Sequence, residues 1–336
     1  MTERHVRQVR LPEIGEEGQR RLAGGRVAIV GVGATGSHLA ASLARAGVGT
    51  LRLIDRDVVE TSNLPRQTLF TARDADEVRP KVEAAAEALA TIDPALSIEP
   101  HAADLTADAA PALLGGVDVV LDGTDNVATR LLVNDLCVRD GLPFVYSGVV
   151  GTVGQTLVVV PGGPCLRCYV PDVPPPGALP TCETAGVLGT AVALVAALAA
   201  TEAIKLLLRR DDVRAGVVVD VDVWTGRVRR IALPRAEDCP CCVGRRFPFL
   251  EAAPAAAATV LCGRDAVQLP SHGTPVDLAR LAGQLAPLGK VHRGALLVRL
   301  DTDERRVLVF ADGRVIVGGT SDAAEARTIR ARLLGD

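Results

Sequence analysis

The stretch Val27-Ala-Ile-Val30-Gly31-Val-Gly33-Ala-Thr-Gly36 decides the fold of this chain. An apolar run stops at glycine, and from Ser37 to Ala46 apolar residues recur at helical spacing, so the order is strand, tight turn, helix. Glycines at 31, 33 and 36 let the backbone turn sharply. They also let a phosphate come up to the helix N-terminus, where free N–H groups and the helix dipole favour negative charge. A second strand, Thr50 to Ile54, delivers Asp55 nineteen residues after Gly36, the usual place for a carboxylate that accepts from ribose hydroxyls. The expectation is an α/β chain with a Rossmann-like, doubly wound sheet and a nucleotide at its glycine turn.

As far as Asp55 the pattern fits an NAD-dependent oxidoreductase equally well. The residues beyond Asp55 favour a triphosphate: Asn63, Arg66 and Gln67 lie in one polar loop, and Lys81 comes shortly after. A nicotinamide needs a flat pocket, whereas these donors match phosphate oxygens. The GK[ST] turn of the common phosphate loop is absent. A further apolar strand, Val117 to Leu121, leads to Asp125. There an open α/β sheet binds ligands, and a carboxylate could hold Mg²⁺ together with phosphate oxygens. The other reading of Asp125 is an N-cap for a helix from Val127 to Cys137.

Eight cysteines stand at 137, 165, 168, 182, 239, 241, 242 and 262. Cys165/Cys168 and Cys239/Cys242 form two CxxC pairs, four soft ligands of the kind tetrahedral zinc takes, and prolines beside both pairs suit rigid knuckles. Cys241 could replace Cys242 by a one-residue shift. Cys137 lies in an apolar helical stretch and reads as core. Cys182 sits in a proline-rich loop just before a long helix, a setting that can lower a thiol pKa.

The uncharged run Thr184 to Thr201 is long enough to span a bilayer, but alanine, glycine and threonine dominate it and Glu183, Glu202 and Lys205 bracket it. It reads as a buried helix at a subunit interface. A formal net charge of −3 gives no basic excess for nucleic acid, and two tyrosines, one tryptophan and five phenylalanines offer few stacking platforms. No signal or lipidation motif is apparent, so a cytoplasmic location without membrane or nucleic-acid partners is expected. The alanine stretch Ala252 to Ala258 marks a boundary between a first domain, 1–251, and a small α+β domain, 259–336. The small domain is expected to hold a helix near Val276 to Leu288, strands near Ala295 to Leu300, Arg306 to Phe310 and Arg314 to Val317, and a closing helix from Asp322 to Leu333. Asp312-Gly313 marks a hairpin. Cys262, at the entrance to this domain, reads as a packed strand residue.

Taken together, these motifs resemble the ubiquitin-activating superfamily, in its bacterial branch of ThiF-, MoeB- and HesA-like adenylyltransferases. The resemblance spans about residues 4 to 245. It is carried by Arg4-His-Val-Arg7-Gln8, the glycine turn, Asp55-x-Asp57, Ser62-Asn63-Leu-Pro-Arg66-Gln67, Lys81, Asp122-Gly-Thr124-Asp125-Asn126 with Arg130, Gly154-Gln155, Thr181-Cys182-Glu183 and the two cysteine pairs. It implies ATP-dependent adenylation of the C-terminal glycine of a small ubiquitin-like sulfur carrier ending in Gly-Gly, with release of pyrophosphate, in a zinc-bearing homodimer. On that reading Arg66 and Lys81 contact phosphates, Asn63 and Gln67 support them, Asp55 takes the ribose and Asp125 holds Mg²⁺. Asn126 and Arg130 add secondary contacts. The resemblance further implies that Arg7 reaches the ATP site of the partner subunit and that Cys182 matches a cysteine some members link covalently to the carrier, with a sulfur donor protein as a further partner. The competing readings are a peptide adenylyltransferase, an NAD-dependent oxidoreductase and a non-catalytic scaffold.

Overall fold

The computed structural model describes residues 3–175, 180–251, 259–261, 265–271 and 275–335, and the chain divides into two units, Met1–Ala253 and Pro254–Asp336. The expected boundary stretch Ala252 to Ala258 and the expected strand residue Cys262 lie outside the described residues.

In the first unit Arg26–Val30 (β1), Thr50–Ile54 (β2), Ser97–His101 (β3), Val119–Asp122 (β4) and Phe144–Val150 (β5) run parallel in the order β3-β2-β1-β4-β5. Val153–Val159 (β6), Val217–Asp222 (β7) and Arg227–Ala232 (β8) continue the sheet antiparallel. Central strands of such a sheet are covered on both faces, so their sequence runs apolar without alternation. Val27 to Val30 is buried throughout for this reason. The register sets Ile29 between Leu53 and Leu121. On one face Ala28, Val30, Val120, Phe144 and Leu157 share a core with Leu131, Leu132 and Leu136 of the helix Val127–Asp140. The helices Ala34–Ala46 and Gly189–Leu207 pack on each other and against the sheet. The chain moves outward from β1 to β2 and β3, then returns to β4 on the other side of β1. That reversal opens a crevice beyond the ends of β1 and β4, where ligands of open α/β sheets bind.

The helix Gly189–Leu207 is long and apolar enough to cross a membrane, with a mean hydropathy of 1.8 over its best window. Here one face of it, Ala191, Val195, Ala199 and Ala203, is buried inside the protein. Glu202, only 2% exposed, is paired with Lys205 of the same helix and with Arg214 beyond its end. The apolar run starts earlier than the helix, because Gly186 at φ +72° separates the short helix Cys182–Ala185 from it.

The second unit is a six-stranded sheet of Thr259–Leu261 (β9), Ala266–Leu269 (β10), Lys290–Arg293 (β11), Leu297–Asp301 (β12), Arg306–Phe310 (β13) and Val315–Gly318 (β14) in the order β11-β12-β13-β14-β10-β9. All its neighbours are antiparallel. Val267, Leu269, Val298, Leu300, Val309 and Val317 face a core completed by Leu281 and Leu285 of the helix Leu278–Leu285 and Ala326 of the helix Ala323–Leu334. The Asp312-Gly313 turn joins β13 to β14, with Gly313 at φ +86° and Asp312 Oδ1 accepting from the Arg314 amide at 2.9 Å.

Candidate active site and metal centre

The glycine turn is built by close backbone approach. Gly31 has φ +82°, and a Cβ there would lie 2.8 Å from the Gly123 carbonyl. At Gly36 a Cβ would fall 1.9 Å from Gly31 O, and at Gly123 it would fall 2.2 Å from the same oxygen. The turns after β1 and β4 therefore interlock at the reversal of strand order, and only glycines allow it. Gly33 differs: it caps the helix Ala34–Ala46 with no side-chain cap, and a Cβ would meet only Gln67 Nε2, at 3.7 Å. The turn thus leaves open space over a helix N-terminus, as an approaching phosphate requires.

Asp55 joins the turn to the following loop. Its carboxylate accepts from the Val32 amide and from the Asp57 amide, each at 2.7 Å. Burial pushes its pKa up, against the pull of the Lys81 charge. Lys81, 4% exposed at the start of the helix Lys81–Ile92, donates to Asp57 Oδ2 at 3.0 Å, and its amide donates to Asp57 O. Asp57 therefore holds the ammonium beside the turn. Asn63 is buried and supports the loop, its Oδ1 accepting from the Glu60 amide at 3.2 Å. Gln67 is equally buried, yet its Oε1 has no partner among the described residues. A buried amide oxygen left unbonded beside an open turn fits a site that a bound ligand completes. Arg66 stands half exposed and donates to Ser62 O at 2.7 Å.

At the end of β4 the residues separate by role. Asn126, not Asp125, caps the helix Val127–Asp140, accepting from the Ala128 amide at 2.8 Å and the Thr129 amide at 3.3 Å. The capping alternative for Asp125 is thereby corrected: one residue along, the shorter reach of Asn126 to those amides takes the position, and Asp125 is left exposed at the crevice. Asn126 spends its oxygen on the helix. Arg130 turns inward, where it pairs with Asp122 at 2.9 Å, donates to Thr124 O and, at 3.1 Å, to Ser147 O, and lies over the Tyr146 ring. Asp122, to which sequence motifs alone assign no separate role, is 1% exposed and also accepts from the Thr124 amide and hydroxyl. Burial pushes its pKa up, with Arg130 opposing. Its signal in sequence is an acid directly ending an apolar strand.

Cys182 lies in the short helix Cys182–Ala185 and its thiol donates to Val149 O at 3.4 Å. Burial raises its pKa, Asp125 raises it further, and Arg66 and Arg130 lower it. Cys182 is therefore near enough to Asp125, Arg66 and Arg130 to feel their charge. Arg7 is exposed on the helix Val6–Val9, and that N-terminal segment is anchored by Gln8 to Gln19 and Ala46 O, each at 2.8 Å.

The two cysteine pairs meet although some seventy residues separate them in sequence. The sulfurs of Cys165, Cys168, Cys239 and Cys242 all lie within 4.8 Å of one another, with Cys165–Cys239 at 3.7 Å and Cys168–Cys242 at 3.6 Å. Zinc–thiolate bonds of about 2.3 Å at the tetrahedral angle put sulfurs about 3.8 Å apart, so the set fits the ion. Cys241, fully buried, instead accepts from Asn134 Nδ2 at 3.4 Å, and Cys242 completes the four. With four protein ligands the centre is closed and has no position for a reacting group. Cys137 is buried, and desolvation pushes its thiol far above the usual range.

A largely parallel sheet with an interlocked glycine turn at its reversal point, a buried Lys81–Asp57 pair beside it and a four-cysteine knuckle defines a zinc-bearing nucleotide-binding protein of the activating-enzyme fold. The chain belongs to the ThiF family, whose model matches residues 5–241. It is 39% identical over 341 residues to the sulfur carrier protein ThiS adenylyltransferase of Bacillus subtilis, with all of both chains covered. It is also 39% identical over 240 residues to the SAMP-activating enzyme E1 of Haloferax volcanii, covering 71% of this chain and 88% of that one. Among solved structures, MccB of E. coli with succinimide superposes at a TM-score of 0.63 with 21% identity, over 72% of this chain and 75% of that chain, a likeness of fold.

Proposed function

We propose that this protein is an ATP-dependent adenylyltransferase that activates the C-terminal glycine carboxylate of a small ubiquitin-like sulfur carrier ending in Gly-Gly. One carboxylate oxygen attacks the α-phosphorus of ATP, the bond to the bridging oxygen of pyrophosphate breaks, and pyrophosphate leaves with that electron pair. The product is an acyl-adenylate that a sulfur donor can convert to a thiocarboxylate. The relatives named for sulfur carriers favour this over a peptide substrate or hydride transfer.

The observation that carries the reading is the gathering of Asp55, Lys81 and the open turn at one crevice, with exposed Asp125 at the strand end that faces it. Carboxylate and triphosphate repel each other, so adenylation needs fixed positive charge and in-line positioning. Lys81 and Arg66 supply the charge, the first held by Asp57, the second bonded to Ser62 O. Asp55 takes the ribose, while Gln67 offers its unbonded amide oxygen to a donor of the nucleotide. Mg²⁺ held by Asp125 would neutralise phosphate charge. Zinc at the four cysteines would hold the two knuckles together. Arg7 of one protomer would complete the ATP site of its partner in a homodimer. Cys182 would capture the carrier once its carboxylate is activated. A cytoplasmic location, where thiols stay reduced, follows the same reading.

The test is exchange of labelled pyrophosphate into ATP, with Mg²⁺ and a panel of carriers ending in Gly-Gly. Exchange that requires the terminal glycine and is lost in Asp125→Ala supports the reading. Tight ATP binding without exchange for any carrier overturns it.

A further inference from the structure

The helix Val127–Asp140 starts at the nucleotide crevice and passes beneath the metal centre. Asn126 caps it beside Asp125, Arg130 is fixed one turn on, and Asn134 follows one turn later. Asn134 has no exposed surface, although asparagine buried in a helix interior needs partners for both ends of its amide. It has found one in each knuckle. Its Oδ1 accepts from the Leu166 amide at 2.8 Å, between Cys165 and Cys168, and its Nδ2 donates to Cys241 Sγ at 3.4 Å, between Cys239 and Cys242. Asp135, also without exposed surface, reaches only the second knuckle and the helix beyond it: its carboxylate accepts from the Phe249 amide at 3.2 Å and is bonded by Cys241. Asn134 thus bonds to both knuckles through one side chain.

We propose that Asn134 is the positioning residue that joins both knuckles, using non-ligand Cys241 as its second anchor, and so links zinc retention at one part of this helix to nucleotide binding at its N-terminus. Asn126 and Asn134 are eight residues apart, about 12 Å along the helix, with Arg130 clamped between them, so a shift of the helix moves both ends. Linkage is reciprocal: if zinc favours the helix position that binds ATP, ATP must favour the position that holds zinc. The link rests on the proposed nucleotide site, whereas the joint itself does not.

The experiment times zinc transfer from the full-length protein to a chromogenic chelator, with and without Mg²⁺-ATP, for wild type, Asn134→Ala, Cys241→Ala and the double variant. Binding of a fluorescent ATP analogue is measured separately. Outer partners of metal sites are worth about 10–100-fold in affinity, and Asn134→Ala is expected to release zinc faster by a factor in that range. Cys241→Ala is expected to release it about threefold faster or more, and the double variant less than the product of the two, because they share one bond. Cobalt substituted into Cys241→Ala should keep the absorption of a four-thiolate site. ATP should slow zinc release in the wild type and not in Asn134→Ala. Wild-type zinc retention in Asn134→Ala overturns the joint, as does a cobalt spectrum in Cys241→Ala that has lost a thiolate. If Asn134→Ala does not fold, Cys241→Ala decides, and wild-type retention there is the overturning result. ATP that binds without slowing zinc release overturns the link alone. Failure of the analogue to bind counts against the proposed function, while the zinc rates still judge the joint.

Discussion

Replacing Arg130 by methionine should destabilise the fold more than it alters chemistry. The substitution keeps much of the side chain's length and apolar contact with Tyr146, but it removes the cation that faces Asp122 at 2.9 Å. Asp122 is 1% exposed, so its carboxylate would remain buried with only the Thr124 amide at 2.8 Å, the Thr124 hydroxyl at 2.7 Å and the distant Ser147 amide. Breaking a buried pair from one side costs about 3–5 kcal/mol. For a unit of this size each kcal/mol moves the melting temperature by about 2–4 °C, giving a fall of about 6–20 °C. The pH dependence has a definite sign. Burial already raises the Asp122 pKa while Arg130 opposes the rise, so loss of Arg130 raises it further. A carboxyl whose folded pKa lies above its unfolded value binds protons more readily when folded. Its stabilising share is therefore complete below the unfolded pKa and lost as pH rises through the folded one. The variant's deficit should be largest at neutral and alkaline pH and should shrink on acidification. Adding Asp122→Asn, which removes the unpaired charge, should recover most of the melting temperature. Calorimetry of wild type, the single variant and the double variant across pH would read all of this. A variant melting within about 2 °C of wild type, or one whose deficit grows towards acid pH, would refute the reasoning.

Gly36→Ala should prevent normal folding, because its Cβ would lie 1.9 Å from Gly31 O and neither backbone can yield without parting the helix Ala34–Ala46 from β1; soluble yield and circular dichroism report it. Gly283→Ala should instead raise stability by about 0.5–1 kcal/mol, since this exposed helical glycine has nothing within 4 Å of a new Cβ; a lower melting point would contradict it. Cys182 is shielded and its pKa is raised, so alkylation followed by mass spectrometry should still accelerate with pH above the usual thiol range. A rate already level below neutral pH would show a thiol activated in the resting protein. Lys81→Met should lower the rate of pyrophosphate exchange by about 10²-fold or more while ATP still binds, the scale of losing one charged donor to a transition state.

Much of the fold is legible in the residues because the glycine turn is dictated by sterics that sequence carries. Thr50–Ile54 is a strand with the expected bounds, and Asp55 stands where its spacing placed it. The helix after the turn starts at Ala34 rather than Ser37, since Gly36 reads as loop in sequence but serves inside the first helical turn to admit Gly31 O. β4 runs one residue past its apolar stretch because Arg130 and Thr124, distant or following in sequence, neutralise Asp122. In the second unit Arg306–Phe310 and the closing helix are visible by pattern, whereas the four-residue strands Ala266–Leu269 and Lys290–Arg293 lack the Asp-Gly turn that marks Val315–Gly318. The choice of Cys242 over Cys241 depends on Asn134, 107 residues away in sequence, and no local motif announces that bond.

Centrally, the α-phosphate of ATP is held to be transferred as AMP to a carrier's C-terminus. The most direct measurement incubates the protein with Mg²⁺, ATP labelled at the α-phosphate and a Gly-Gly carrier, then follows label into the carrier by mass spectrometry under acid quench. Label is expected on the terminal glycine, lost when that glycine is removed and lost in Asp125→Ala. Label that stays on free nucleotide while the γ-phosphate is released would contradict this chemistry.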